Sequence, residues 1–121
     1  MGTTETANRF EIFRNVDDFE RHPAGGVVFA EGDPAEHAYV VRSGEVAISA
    51  GGRELERLGE GAMFGEMAIV EGGARSATAT AASDCELAVI DRRTFRRLVT
   101  DTPFFAENVM RVMAARLRRA M

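Results

Sequence analysis

Turn-forming residues break the middle of this chain at nearly even intervals: Gly25-Gly26, Gly32-Asp33-Pro34, Ser43-Gly44, Gly51-Gly52, Gly59–Gly61, Gly72-Gly73 and Ser83-Asp84. Glycine reaches backbone conformations that other residues avoid, and Asp, Ser and Pro initiate turns, so each cluster ends a segment. Turn signals at about 8–12-residue spacing predict an all-β barrel or sandwich rather than a parallel α/β sheet. The strand candidates between them are Val27-Val28-Phe29, Ala38–Arg42, Glu45–Ser49, Glu54–Leu58, Ser76–Ala82 and Glu86–Ile90.

After residue 90 the pattern becomes helical. Asp91 is an N-cap for a helix over Arg92–Val99 that turns Phe95, Leu98 and Val99 inward. Thr102-Pro103 reads as N-cap followed by N1 proline, opening a last helix that runs to about Arg119. That helix carries two apolar stripes, Phe105, Val109 and Val112 on one and Ala106, Met110, Met113, Leu117 and Ala120 on the other. Together they span roughly 160°, more than a helix lying on its own core needs. One stripe is expected on the barrel and the other against a second copy, giving a homodimer that Met113→Glu should break.

The chain has 121 residues and the apolar content of one compact domain. Residues 1–18 are expected to form a short lead-in segment, with an amphipathic turn at Phe10, Ile12, Phe13 and Val16, and residues 19–121 a single domain. No apolar run approaches the roughly 18 residues of a membrane span, and no charged-then-apolar leader opens the sequence. A soluble, cytoplasmic protein without a membrane partner is expected. The lone Cys85 excludes an internal disulfide, and its alternation with Leu87 and Val89 suits a small buried residue. All fifteen basic residues are arginines. Eight fall in residues 91–121 against three acids, so the first ninety residues carry −9. Such a body is a poor nucleic-acid surface, and no direct nucleic-acid binding is expected.

The residues with the most chemistry lie in Phe64–Thr78. A glycine, Gly65, precedes a short helical turn over Glu66–Val70; Gly72-Gly73 turns the chain again, and Arg75-Ser76 opens a strand. Gly65 permits close backbone approach, the turn's first amides point outward, and Arg75 offers a planar fork for two phosphate oxygens. Ser76 adds a hydroxyl and an amide. Glu66 beside an anion is costly unless it accepts from a ligand hydroxyl and a second cation balances it.

This order, F-G-E-x-A then six residues then R-S-A-T, resembles the phosphate-binding cassette of the cyclic nucleotide-binding domain family. Ala74 stands where the family often has proline. Glu31–Val46 is similar to the turn and strands preceding that cassette, so the likeness spans roughly residues 19–121. The resemblance implies an antiparallel, jelly-roll-like β-roll over about 19–90 with two C-terminal helices over about 91–119. It implies a site for phosphate and ribose at Gly65, Glu66, Met67, Ala68, Arg75, Ser76 and Ala77. It also implies a last helix that closes as a lid, with Arg116 reaching Glu66 and Ala120 near the base, and Ile48 and Leu55 as an apolar wall. The ligand implied is cyclic AMP or cyclic GMP, with no cofactor and no metal.

Catalytic patterns are absent. His22 and His37 form no ligand-spaced pair, and no serine sits in a G-x-S-x-G elbow. A regulatory sensor acting on an effector protein or domain is therefore expected rather than an enzyme. The alternatives are a degenerate fold serving as a dimerisation domain, or the effector-binding part of a longer transcription regulator or channel.

Overall fold

The computed structural model describes residues 18–120, with the side chains of Arg119 and Ala120 outside that description. The amphipathic turn expected at residues 10–16 also lies outside the described residues. The described chain runs β1 (Phe19–His22), β2 (Val27–Phe29), β3 (His37–Ser43), β4 (Val46–Ala50), β5 (Arg53–Leu58), β6 (Met63–Phe64), α1 (Glu66–Glu71), β7 (Thr78–Ala81), β8 (Cys85–Asp91), α2 (Arg92–Asp101) and α3 (Pro103–Ala120). All six expected strands form, with ends moved by at most two residues. β1 and β6 were not anticipated, because Phe-Glu-Arg-His shows no apolar alternation and β6 is only two residues long.

The strands make two antiparallel sheets, ordered β1-β8-β3-β6 and β2-β7-β4-β5. This is the expected antiparallel β-roll with flanking helices. Side chains alternate across a strand, and here the alternation separates two cores. Tyr39 and Val41 of β3 and Leu87 and Val89 of β8 face the second sheet, meeting Val46, Leu58, Ala79 and Ala81. Ala38 and Val40, with Ala88 and Ile90, face the other way, onto Ile69 of α1, Phe95 of α2, and Phe105 and Val109 of α3. The first sheet is therefore buried on both faces, and its central strands read as the continuous apolar runs Ala38–Val41 and Leu87–Ile90.

Helix boundaries follow their caps. Asp91 is extended, and its carboxylate accepts from the Thr94 amide at 2.7 Å. The Thr102 carbonyl accepts from the Phe105 and Ala106 amides at 3.0 and 3.2 Å, which starts α3 directly behind α2. Phe95 and Phe105 then meet edge to face at 5.6 Å. The two stripes of α3 do not divide as expected. Phe105 and Val109 lie on the sheet, but Met113 packs against the same core, while Met110 and Leu117 are each 63% exposed. Met113→Glu would thus drive a carboxylate into the helix–sheet core instead of acting on an outer face alone.

Candidate functional site

The loop from β6 to β7 is stapled in place by a turn far away in sequence. The Arg75 amide donates to the Asp33 carbonyl and the Gly32 amide to the Arg75 carbonyl, both at 2.8 Å, beside an isolated bridge between Pro34 and Ala74. Asp33 holds its own turn by accepting from the Ala30 amide at 3.0 Å. The Gly32-Asp33-Pro34 cluster, a turn signal in the sequence, thus fixes where the Arg75 side chain begins.

From there the guanidinium lies across the start of α1. Nη1 donates to the Gly65 carbonyl at 2.9 Å and Nη2 to the His37 carbonyl at 2.6 Å. The group sits over the Phe29 ring, 4.0 Å from its centroid, where the ring's negative face attracts a cation. Arg75 is 5% exposed. Burial pulls its pKa below the ordinary arginine value, opposed by Tyr39, Asp33 and Glu66. It remains a cation, since arginine does not lose its proton in proteins. Gly65 adopts φ 80°, and a Cβ there would come 2.8 Å from Arg75 Nη1. A side chain here would be strained by the backbone conformation and would push the guanidinium aside.

Glu66, the first residue of α1, is fully buried. Its Oε1 accepts from Nη1 of Arg116 on α3, whose Nε reaches Glu56 at 3.4 Å and whose Nη2 donates to the Met63 carbonyl at 3.1 Å. Arg116 is thus the second cation that a buried glutamate requires. Among the described residues, two buried side-chain polar atoms lack hydrogen-bond partners: Glu66 Oε2 and Arg75 Nε. One needs a donor and the other an acceptor.

Both residues line one cleft of about 880 Å³. Its walls bring together Gly65, Glu66, Met67, Ala68, Arg75, Ser76 and Ala77, with Ile48, Leu55 and Arg116. The side chain of Ala120 lies outside the description. Sequence reasoning missed Phe29, Glu56, Met113 and Leu117, which also line the cleft. Phe29 and Glu56 come from β2 and β5, and only the folded pairing of strands carries them there. Met113 and Leu117 were readable as apolar positions four apart on α3, but not as cleft walls. Among the described residues no group of three or more His, Cys, Asp or Glu is placed to hold a metal ion, and no helix is long and apolar enough to cross a membrane.

A cleft lined by a buried glutamate, a buried arginine and apolar side chains suits a ligand that joins a hydroxyl, an anion and a flat apolar part. Comparison with known proteins points the same way. The sequence model described as "Cyclic nucleotide-binding domain" matches residues 19–102. A CRP-like cAMP-activated global transcriptional regulator of Mycobacterium tuberculosis is 39% identical over 102 residues, covering 80% of this chain and 46% of that protein. The crystal structure of the Thermus thermophilus catabolite activator protein superposes with a TM-score of 0.82 at 33% identity, over 93% of this chain and 55% of that one. The EAL enzyme Bd1971 matches in its cAMP-bound form (TM-score 0.65, 33% identity) and its cGMP-bound form (0.68, 32%), each over 85% of this chain and 29% of that one. The chain spans about half the length of the mycobacterial relative.

Proposed function

The chain belongs to the cyclic nucleotide-binding domain family, and on that premise we propose that it is a ligand-sensing module whose cleft takes cyclic AMP or cyclic GMP. The observation that carries the reading is the pair of unpartnered buried atoms, Glu66 Oε2 and Arg75 Nε, in the walls of one cleft. A ribose 2′-hydroxyl can donate to the first and a phosphate oxygen can accept from the second. Gly65, Met67, Ala68, Ser76 and Ala77 frame the phosphate, and Ile48, Leu55 and Leu117 flank the base. Cyclic AMP is the first candidate, in keeping with the mycobacterial relative's name, and the two Bd1971 forms support testing cyclic GMP beside it.

Occupancy is reported through α3, because Arg116 on that helix already holds Glu66. A ligand that favours one position of α3 shifts the population toward it, and a ligand indifferent to that position shifts nothing. The module is a binding domain over residues 19–121 rather than an enzyme, works in the cytoplasm, and passes its signal to an effector protein or domain. A homodimer through the outer face of α3 is part of the reading, supported by the exposed Met110 and Leu117.

Thermal unfolding with each nucleotide, on wild type and Arg75→Ala, tests the proposal. A site filled at about a hundred times its Kd gains roughly 2.7 kcal/mol, which raises the midpoint by several degrees in a domain of this size. The gain should vanish in Arg75→Ala. Wild-type protein that does not respond to either nucleotide at millimolar concentration would leave the fold as a scaffold without this ligand.

A further inference from the structure

A second cavity, of about 260 Å³, lies beneath α3. Val40, Leu58 and Met63 form its floor, and Phe105, Val109 and Val112 of α3 form its roof. Asn108 is its half-buried polar lining residue, and Arg116 and Glu56 line it as well. Those same two residues line the larger cleft, so one ion-paired wall separates the two spaces.

The chemistry of the wall decides what the smaller space can take. Arg116 already aims Nε, Nη1 and Nη2 at Glu56, Glu66 and the Met63 carbonyl, so it has little to offer an anion. The rest of the lining is almost wholly aliphatic or aromatic. An apolar cavity of roughly 150 Å³ takes benzene, so this one has room for a ring somewhat larger. We propose that it is a second site, for a neutral apolar molecule of benzene to indole size whose one polar edge hydrogen-bonds to Asn108. Its occupant would press on the roof that carries Arg116, and thereby alter nucleotide binding on the far side of the shared wall. This coupling rests on the nucleotide reading of the larger cleft; the second site itself does not.

Indole is the probe. Its titration into the wild-type chain, followed by methyl NMR, should give saturable shifts at Val40, Leu58, Val109 and Val112. Shifts centred on Ile48, Leu55, Met113 and Leu117 would mean that indole enters the larger cleft, and that result overturns the proposal, as does no saturable shift up to the solubility of indole. Ala115→Phe, which fills the cavity from α3, should abolish the response while the spectrum stays dispersed; if it does not fold, Ala62→Leu fills it from the sheet side. Indole binding that persists in a folded, filled variant overturns the assignment. With indole bound, the Kd for cyclic AMP should change by about fivefold or more, within the usual range of coupling between sites. An unchanged Kd overturns the coupling and leaves the second site standing. If cyclic AMP does not bind at all, the nucleotide reading fails and the indole titration still decides the site.

Discussion

Arg116, near the end of α3, donates to the fully buried carboxylate of Glu66 at the start of α1, across fifty residues of chain. Ile69 of α1 and Phe105 and Val109 of α3 share one core beside this ion pair. A carboxylate in this setting is tolerable because Arg116 supplies its countercharge.

Arg116→Met should therefore destabilise the domain by about 3–5 kcal/mol, the usual result of stranding one member of a buried ion pair. Glu66→Gln in the same background removes the stranded charge and should restore much of that loss. Denaturant unfolding of the four proteins of this cycle measures the coupling. Strictly additive losses would show that the pair does not hold the two helices together.

Two glycines bracket α1 with similar backbone angles and different surroundings. Gly65 has φ 80° and Arg75 Nη1 at 2.8 Å from where a Cβ would lie; Gly72 has φ 76° and open space. Gly72→Ala carries only the strain of a left-handed alanine, about 1 kcal/mol. Gly65→Ala carries that strain and displaces Arg75, so it should lose more stability and most nucleotide affinity. Equal effects in unfolding and in calorimetric titration would remove the steric role assigned to Gly65.

Phe29 supports Arg75 from below, with the guanidinium 4.0 Å from the ring centroid. Phe29→Leu keeps an apolar side chain and removes the ring's negative face, worth about 0.5–2 kcal/mol. Nucleotide affinity should fall by a few-fold to about thirtyfold on that basis. Titration calorimetry reads this directly, and an unchanged Kd would show that the carbonyls of Gly65 and His37 orient Arg75 unaided.

What was legible in the sequence and what was not divide along local and non-local lines. The cassette could be read because glycine, glutamate and arginine meet there within a dozen residues, and turn chemistry is local. The strands β3 and β8 could be found, and their apolar runs are what a sheet covered on both faces shows, but which elements cover the outer face could not be read, since that depends on how later helices fold back. Phe29 and Glu56 could not be assigned to the cleft, because strand register carries them there. Met113 was placed on the outer stripe of α3 by helical spacing alone. In the fold it packs against the core that holds Ile69, Phe95, Phe105 and the sheet, so the buried face of α3 is wider than one stripe.

The outer face of α3 yields a separate expectation. Met110 and Leu117 are both largely exposed, seven residues apart and therefore on one side of the helix. If two copies meet there, Met110→Glu should shift the protein from dimer to monomer in sedimentation, and its unfolding midpoint should lose the concentration dependence that association confers. A wild-type chain that sediments as a monomer at high concentration would remove the homodimer from the proposed mechanism.

Asp91 joins the last strand to α2, and its charge state should be visible in the acid stability of the whole domain. The Thr94 amide, and then the Thr94 side chain, hydrogen-bond to the carboxylate and lower its pKa below the ordinary 3.8. Nearby His37 and Arg93 act in the same direction, more weakly. A group whose pKa is lower folded than unfolded adds stability above the unfolded value and loses it as pH falls through the folded one. Asp91 is exposed, so the charge is screened, and most of the benefit is the cap bond itself. Asp91→Ala should cost about 1 kcal/mol at neutral pH. Its deficit relative to wild type should narrow as the pH is taken below the ordinary value of 3.8, where the wild-type carboxylate begins to protonate. Asp91→Asn keeps an acceptor without a titrating charge, and should sit close to wild type at neutral pH with a flatter acid profile. A constant gap between Asp91→Ala and wild type from neutral pH into strong acid would show that the cap does not depend on ionisation.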